Sequence, residues 1–380
     1  MRLIYNLMLR INGGERMGQY INRFVWAFIV FCLSGLCSFF CLSVYDTSHN
    51  NEIPIVLAFN NQYALGAGVT IASIIEHADK DDKLVFYILE KNVSSFYKEK
   101  IEQLKKFRPF EIHWITVHHL IPSHLNYPTY YRYLLGELFP QYKKVIYMDV
   151  DVYVFSSLKS FYNQNIDGYY IAGVEDMHGA QHTTSCHTRT FNAGVMLVNI
   201  DMWRKNHIFE KATDKEYQKY DRFQKDQTVL NCLFNNSVLW LSPMYNFHHS
   251  CQVKRPVFCA YGYNRYSMEE IQNAQKNMLI FHYIIEGKPW NIGPNYMKTN
   301  DFFKTLERYL NGYWVDNHTI LLKQDNQEVY QFPGKLKGKI VYQKNGLEKI
   351  IFEDGTIQYL KQQNNQGVIE YKRVSKSVVQ

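Results

Sequence analysis

Two aspartates one residue apart, Asp149 and Asp151, lie within an apolar run of strand length that begins at Lys144. Residues i and i+2 of a strand point to the same face, so the pattern predicts that both carboxylates leave the sheet together. Two like charges at a strand end repel each other unless a cation lies between them, and hard divalent ions such as Mg2+ or Mn2+ prefer oxygen ligands. The pair therefore predicts a metal site at the carboxyl edge of a sheet, where open α/β folds bind ligands. A solvated Asp-x-Asp turn is the alternative interpretation.

The elements that must position this pair follow from the periodicity of the chain. Apolar runs alternate with amphipathic stretches between residues 53 and 115, which is typical of strands joined by helices. The predicted strands are 53–59, 84–89, 110–115, 144–154, 169–174, 195–200 and 278–283, and the predicted helices are 63–77, 94–106, 130–138 and most of 201–235. We therefore predict a single Rossmann-like α/β domain with a mixed sheet over residues 53–315.

The composition restricts the class of protein. The chain of 380 residues is 46% hydrophobic and 20% charged, which is typical of a folded protein and not of a disordered one. Its net charge of +7 suits anionic partners such as nucleotide phosphates or a membrane surface, and we predict no nucleic-acid partner. The seven cysteines include no Cys-x-x-Cys spacing, so neither a zinc cluster nor a disulfide framework is indicated. This pattern fits a reducing compartment.

The N-terminal region contains an apolar segment, residues 24–45, that carries no charged side chain. A helix of this length is long enough to cross a bilayer. The preceding tail, residues 1–23, is basic, and the positive-inside rule would keep it in the cytoplasm and place the large domain outside. We predict a membrane anchor, with an uncleaved interfacial helix or a signal peptide as the alternatives.

The C-terminal region differs from the preceding part of the chain in its sequence pattern. The dipeptides Asn345-Gly346 and Asp354-Gly355 separate runs of alternating polar and apolar residues. Each dipeptide favours the tight turn of a β-hairpin. We therefore predict a small β-rich extension, a β-meander over residues 318–375.

Further motifs lie on both sides of the aspartate pair. They are 54–64 (PIVLAFNNQYA), 129–133 (TYYRY), 174–176 (VED), 191–195 (FNAGV), 225–227 (KDQ) and 282–290 (HYIIEGKPW). In this order and at these spacings the chain resembles glycosyltransferase family 8 over roughly residues 53–292. The family consists of retaining transferases, including bacterial lipopolysaccharide glucosyl- and galactosyltransferases and glycogenin.

The resemblance implies a fold of the GT-A type and a metal centre formed by Asp149, Asp151 and His282. These ligands would bind Mn2+ or Mg2+, which acts as a Lewis acid on the departing nucleoside diphosphate. Lys288, beside Gly287, matches the lysine that closes over the diphosphate. Without the motif, His282 would be interpreted as a structural histidine and Lys288 as an ordinary surface lysine.

The resemblance also implies the residues that act at the transferred sugar. Asp226 and Gln227 match the pair beside the anomeric carbon, and the Gln227 carbonyl oxygen is the nearest group to stabilise positive charge there. The implied donor-binding residues are Asn60, Asn61, Tyr63, Arg132, Asp149, Val150, Asp176, Asn192, Ala193, Gly287 and Lys288. Asn60 and Asn61 stand where the family usually has aspartates, which leaves the nucleotide preference open.

The implied reaction is transfer of a hexose, glucose or galactose, from a UDP-sugar to an oligosaccharide or lipid-linked saccharide, with retention, in lipopolysaccharide core biosynthesis. Because the donor is cytoplasmic in bacteria, we predict a membrane-associated protein at the cytoplasmic face of the inner membrane. The alternative is a non-catalytic, membrane-anchored saccharide-binding protein on the same fold. A haloacid-dehalogenase phosphohydrolase is disfavoured because position 153 of the aspartate motif is Tyr.

Overall fold

The computed structural model describes the chain between Glu52 and Arg373, with gaps. The described residues are 52–176, 189–220, 225–234, 237–248, 266–284, 288–292, 299–316, 319–324, 327–331, 338–342, 348–352, 357–361 and 370–373. All of them belong to one contact unit, Asn51–Gln380. The predicted tail 1–23, the apolar segment 24–45 and Gly287 lie outside the described residues. No helix within the described ranges has the length and apolar character needed to cross a bilayer.

A seven-stranded mixed sheet and a three-stranded sheet carry the first part of the chain. Their strands are β1 (Glu52–Asn60), β2 (Lys83–Lys91), β3 (Glu111–Thr116), β4 (Lys144–Met148), β5 (Val152–Val154), β6 (Ile171–Glu175), β7 (Phe191–Asn199), β8 (Val238–Trp240), β9 (Phe247–His248) and β10 (Ile280–His282). The large sheet has the order β3-β2-β1-β4-β7-β6-β8. The first four strands in this order are parallel, and β7 runs antiparallel to both of its neighbours. The predicted α/β fold with a mixed sheet is confirmed.

The central strand β1 shows why a continuous apolar run predicted a strand at residues 53–59. Every residue from Ile53 to Phe59 is buried. Alternate side chains enter two separate cores, since Ile55 and Leu57 contribute to one and Val56 to the other. A strand covered on both faces needs such a continuous apolar run.

Helices connect the strands and supply the other half of each core. They are α1 (Ala64–His77), α2 (Ser95–Glu102), α3 (Leu135–Leu138), α4 (Lys159–Tyr162), α5 (Ile200–Lys205), α6 (Ile208–Thr213), α7 (Lys215–Gln218), α8 (Asp226–Phe234), α9 (Met268–Lys276), α10 (Pro289–Ile292) and α11 (Thr299–Leu310). The helix predicted over 130–138 is instead a 3-10 segment, Pro128–Leu134, followed by the single turn α3. Its run of tyrosines has low α-helical propensity, because aromatic side chains lose rotamer freedom against the preceding turn.

The apolar run 144–154, predicted as one strand, is divided in two. β4 pairs in the large sheet, whereas β5 pairs antiparallel with β10 in the small sheet β5-β10-β9. Both aspartates lie in the connection, so strand alternation does not set the direction of their carboxylates. Thr70 of α1 helps to hold the connection in place, because its Oγ1 lies 3.1 Å from the carbonyl oxygen of Val150 and 2.8 Å from that of Val152.

The C-terminal part forms the predicted β-meander. Its strands are β11 (Gly312–Asp316), β12 (Thr319–Gln324), β13 (Gln327–Gln331), β14 (Gly338–Tyr342), β15 (Glu348–Phe352), β16 (Ile357–Lys361) and β17 (Glu370–Arg373). Each strand pairs antiparallel with the next along the chain. The first strand begins at Gly312, inside the range predicted for the transferase domain. The two turn dipeptides of this region lie outside the described residues.

Candidate active site

One edge of the large sheet collects the polar residues of the motifs. Asn60 ends β1, Asp149 follows β4, Asp176 follows β6, and Asn192 lies at the start of β7. Because β7 is antiparallel to β4 and β6, its beginning meets their ends. This is the edge at which α/β sheets bind ligands.

Asp149, Asp151 and His282 form a compact group in which the ligand atoms all lie within 4.8 Å of one another. The antiparallel pairing of β10 with β5 sets His282 opposite Val152, beside the aspartates. The His282 Nε2 atom lies 3.2 Å from Asp151 Oδ1. Two carboxylates and one imidazole form a donor set that Mn2+ accepts. The structure therefore brings the three predicted ligands together.

Gly194 of β7 leaves the space in which this group meets. A Cβ atom at Gly194 would lie 2.4 Å from Cε1 of His282 and 2.6 Å from Oδ2 of Asp149. The Gly194 carbonyl oxygen also accepts the backbone N–H of Asp149 at 2.7 Å. A strand glycine commonly marks a close approach of ligand or backbone. We call the space beside Gly194, between His282 and Asp149, the cradle. The cradle and the donor set together fit a divalent cation.

Lys288 and His282 contact different carboxylate oxygens of Asp151. Its Nζ forms an ion pair with Asp151 Oδ2 and donates to the carbonyl oxygen of Tyr283 at 2.6 Å. Burial disfavours the charge on Asp151, but Lys288 and His282 outweigh burial and hold the pKa of that carboxyl well below its usual range. Asp151 is therefore ionised at neutral pH, as a metal ligand must be.

Arg132 is buried beneath the aspartates and is shared by two carboxylates. Its Nη2 lies 2.9 Å from Asp149 Oδ1, and its Nε lies 3.0 Å from Asp226 Oδ2. Burial opposes the positive charge, but Asp149 and Asp226 raise the pKa of Arg132 above its ordinary value. The guanidinium also lies over the Tyr147 ring, 4.6 Å from its centroid. These contacts orient Asp149, and direct contact of Arg132 with the donor stays a prediction.

Asp226 begins α8 and is 4% exposed. Thr129 Oγ1 donates to one of its carboxylate oxygens, and Arg132 pairs with the other. Burial raises the pKa of Asp226 to about 6, although Arg132 and Thr129 act in the opposite direction. Both oxygens of Asp226 are thus engaged by groups of the protein itself.

Three further predicted residues form a hydrogen-bonded network beside the predicted metal ligands. Gln227 Nε2 and Asn192 Nδ2 both donate to Asp176 Oδ2, the second at 3.4 Å. Gln227 Oε1 accepts from the backbone N–H of Ala193 at 2.9 Å. Asn192 Oδ1 accepts from the backbone N–H of Gly194 at 3.1 Å, next to the cradle. The structure thus brings the predicted sugar-contacting residues to the predicted metal ligands.

The residues predicted for the nucleotide base lie at the end of β1. Asn60 Oδ1 accepts from the backbone N–H of Gln62 at 3.1 Å, and Asn61 Oδ1 accepts from that of Ser94 at 3.0 Å. Tyr63 is 38% exposed, and its ring meets the ring of Trp290 edge-on with 6.2 Å between centroids. Tyr63 therefore presents an accessible aromatic surface, while the two asparagine oxygens stabilise the local backbone.

Val150, between the two aspartates, has its side chain in the hydrophobic core. Its carbonyl oxygen and the Trp290 ring both lie against Gly66 of α1, where a Cβ atom would be 2.7 Å from that oxygen and 2.5 Å from the ring. Helix α1 therefore supports the aspartate connection closely. Binding of the donor by Val150 stays a prediction.

Thr70, Thr129 and Asn246 support the site, although the sequence did not single them out. Thr129 belongs to the TYYRY motif, so the motif itself offered a signal. Asn246 lies between a 3-10 turn, Pro243–Tyr245, and β9, in a segment that matched no motif. Its Oδ1 lies 3.0 Å from His282 Nδ1.

Cys232 of α8 takes part in a disulfide bond, and its partner lies outside the described residues. The cysteine spacing did not predict this bond, because no local pattern connects Cys232 to another cysteine. Disulfides persist in oxidising compartments.

Comparison with known proteins agrees with the fold. The model of the family "Glycosyl transferase family 8" matches residues 54–292. GlyB of Streptococcus pneumoniae is 27% identical over 284 residues, which are 72% of this chain and 65% of GlyB, so the chain spans less than two thirds of that relative. A lipopolysaccharide 1,2-glucosyltransferase of Escherichia coli is 24% identical over 77% of this chain and 86% of its own length.

Solved structures share the fold. The galactosyltransferase LgtC, determined with donor and acceptor sugar analogs, superposes with a TM-score of 0.55 at 22% identity, over 67% of this chain and 95% of LgtC. At that identity the likeness establishes the GT-A fold alone. The match of the family model covers more than half of the sequence. The chain therefore belongs to glycosyltransferase family 8.

Proposed function

We propose that this protein is a metal-dependent, retaining hexosyltransferase that moves glucose or galactose from a UDP-sugar to a saccharide acceptor. The observation that carries the proposal is the meeting of Asp149, Asp151 and His282 within 4.8 Å at the sheet edge. The amide network of Asp176, Asn192 and Gln227 begins directly beside this group, at Gly194. A metal centre next to buried hydroxyl-binding groups suits a phosphorylated sugar.

Asp149, Asp151 and His282 would hold the metal, Mn2+ or Mg2+, in this enzyme. When bound, the ion supplies Lewis-acid stabilisation of charge on the departing diphosphate. Lys288 is placed to add a second positive charge, because its Nζ already lies against Asp151. An ammonium on a flexible stem is suited to follow a phosphate group as it leaves.

The amide network favours one route to retention. Double displacement needs a nucleophile, but the Gln227 amide is a weak one and its two polar atoms bond Ala193 and Asp176. The Asp226 oxygens are engaged by Arg132 and Thr129. We therefore favour attack of the acceptor on the same face that the phosphate leaves. In this scheme Asp176 and Asn192 hold sugar hydroxyls and Gln227 supports positive charge at the anomeric carbon.

The donor base would stack on Tyr63, which is accessible at the end of β1. The acceptor would be an oligosaccharide or a lipid-linked saccharide. The Escherichia coli relative, a lipopolysaccharide 1,2-glucosyltransferase, supports a role in lipopolysaccharide core biosynthesis. Contact with a membrane surface would bring such an acceptor to the site.

We also propose that the domain lies at the cytoplasmic face of the bacterial inner membrane, because nucleotide sugars are made in the cytoplasm. The Cys232 disulfide favours the opposite, oxidising side. Protease protection of the domain in intact spheroplasts separates the two locations.

Donor hydrolysis tests the function. The purified protein should hydrolyse UDP-glucose or UDP-galactose with Mn2+. Asp151→Asn should lower the rate by at least about a hundredfold, because the variant would bind less tightly the cation whose positive charge stabilises the leaving group. Asp82→Asn is the matched control, since Asp82 is a buried aspartate that bonds Asp79 and Ser157 away from the site. Equal turnover in Asp151→Asn and the wild type would exclude the metal role. Binding of saccharide without nucleotide, metal or turnover would instead support a non-catalytic binding protein.

A further inference from the structure

Asn246 is fully buried, with 0% of its surface exposed, and its carboxamide connects two residues of the site. Its Oδ1 lies 3.0 Å from His282 Nδ1, and its Nδ2 donates to Asn192 Oδ1 at 2.9 Å. His282 Nε2, the other ring nitrogen, faces Asp151. Asn246 therefore lies between the predicted sugar-contacting amide and the predicted metal ligand.

The hydrogen bonds around Asn192 fix which way the Asn246 carboxamide points. Asn192 Oδ1 accepts from the backbone N–H of Gly194 at 3.1 Å, and Asn192 Nδ2 donates to Asp176. The Asn192 atom that faces Asn246 is therefore a carbonyl oxygen, which only accepts hydrogen bonds. Asn246 must present its Nδ2 to Asn192 and, as a result, its Oδ1 to His282.

This polarity decides where the proton of the imidazole lies. An oxygen that faces Nδ1 accepts a hydrogen bond only if Nδ1 carries the proton. In the neutral imidazole that a bound cation requires, the lone pair is then on Nε2, the atom that faces the aspartates. Without a cation, a proton on Nε2 would be shared with Asp151 instead. With the opposite tautomer, Nε2 would carry a proton and could not bind a cation.

We propose that Asn246 is a positioning residue that holds His282 in the tautomer and orientation required for metal binding. The backbone N–H of Gly194 fixes the orientation of the Asn192 amide, which fixes that of the Asn246 amide. The Asn246 oxygen in turn selects the proton position on His282. Metal ligands of this type generally depend on the partner of their second ring nitrogen. The inference rests on the proposed metal dependence of the enzyme.

Mn2+ binding to the full-length protein, without nucleotide, tests the proposal. Binding is followed by the electron paramagnetic resonance signal of free Mn2+. Asn246→Leu removes both hydrogen bonds at similar volume and should weaken Mn2+ binding by about 10- to 100-fold. Asn246→Asp keeps an acceptor for the His282 Nδ1–H and should bind Mn2+ more tightly than Asn246→Leu does.

Asn199→Leu is the matched control. Asn199 is also a buried asparagine of this domain, and it donates to Ile166 and accepts from Met202 at 3.1 Å each, at the opposite end of β7 from the site. Its replacement should lower the melting temperature and leave the Kd for Mn2+ unchanged. A loss of affinity in both variants would mean that Asn246 acts through general stability alone.

The histidine tautomer gives a second readout. Long-range 1H–15N spectra of 15N-histidine-labelled protein saturated with diamagnetic Mg2+ should show His282 protonated at Nδ1 alone in the wild type and mixed tautomers in Asn246→Leu, with His282→Gln identifying the signal. If Asn246→Leu fails to fold, Asn246→Ala serves for both measurements. A folded variant with wild-type Mn2+ affinity and tautomer would overturn the inference, whereas a wild-type protein that binds no Mn2+ would overturn the proposed metal dependence.

Discussion

Asp226 and Arg132 form a buried ion pair, but the single positive charge of Arg132 faces two carboxylates, those of Asp226 and Asp149. Arg132 also serves Asp149, so its positive charge is divided between two carboxylates. This division explains why burial still raises the pKa of Asp226 to about 6 although an arginine lies 3.0 Å away. The site thus stores an unfavourable charge at neutral pH, as functional sites often do.

Stability should depend on pH through Asp226. Its pKa rises from 3.8 to about 6 on folding, so the folded protein binds this proton more tightly than the unfolded chain does. The resulting stabilisation is fully present below pH 3.8 and is lost as the pH rises through about 6. A shift of this size corresponds to about 3 kcal/mol.

Asp226→Asn should remove that dependence. The free energy of unfolding of the variant, relative to the wild type, should therefore rise by up to about 3 kcal/mol between pH 4 and pH 7. Urea unfolding of both proteins at a series of pH values measures this difference. A difference that stays constant over the series would show that Asp226 is not the titrating group.

The elements around the site impose their own constraints, and Gly194 of β7 gives a sharp test. Gly194→Ala should abolish detectable Mn2+ binding, because the added Cβ would lie 2.4 Å from His282 and 2.6 Å from Asp149. Gly173→Ala in the neighbouring strand β6 is the matched control, since its nearest neighbour would be Ile171 Cδ1 at 3.3 Å, which can move. Calorimetric titration with Mn2+ distinguishes the two, and tight binding by Gly194→Ala would contradict the assigned cradle.

Helix α1 is predicted to hold the aspartate connection through Thr70. Thr70→Val keeps the shape of the side chain but leaves the carbonyl oxygens of Val150 and Val152 without its hydroxyl, which should cost about 1–3 kcal/mol of stability. Mn2+ affinity should fall as well, because the connection carries both aspartates. Thr213→Val is the control, because the hydroxyl of Thr213 donates only to carbonyl oxygens of its own helix. Equal effects of the two substitutions on Mn2+ affinity would contradict the role of α1.

The limits of sequence reasoning follow from the same elements. Strand β1 was predictable because burial on both faces demands a continuous apolar run. The division of residues 144–154 was not, because the run stays apolar while its hydrogen-bond partner changes from β7 to β10. The meeting of Asp149, Asp151 and His282 was predictable from motifs that resemble a known family. Asn246 was not, because its role depends on a tertiary contact with His282 that no local spacing encodes.

At the scale of the whole molecule, the three sheets of the described residues are connected in two different ways. The large sheet and the small sheet β5-β10-β9 assemble the site from strands far apart in sequence. In the described residues of the C-terminal meander, each strand pairs with its neighbours along the chain. Local pairing of that kind needs few contacts between residues far apart in sequence, so the described strands of the meander can form from neighbouring segments of the chain.

The location of the domain is the property on which the whole molecule's activity depends. If the domain faces the cytoplasm, trypsin added to intact spheroplasts should leave it uncleaved, and detergent lysis should expose it. Cys232 should then react with N-ethylmaleimide in cells treated before lysis, because cytoplasmic thiols stay reduced. A periplasmic protein that trypsin degrades in the same spheroplasts is the control. Cleavage of the domain in intact spheroplasts, together with an oxidised Cys232, would place it on the outer side, where the donor sugar would have to be supplied by transport.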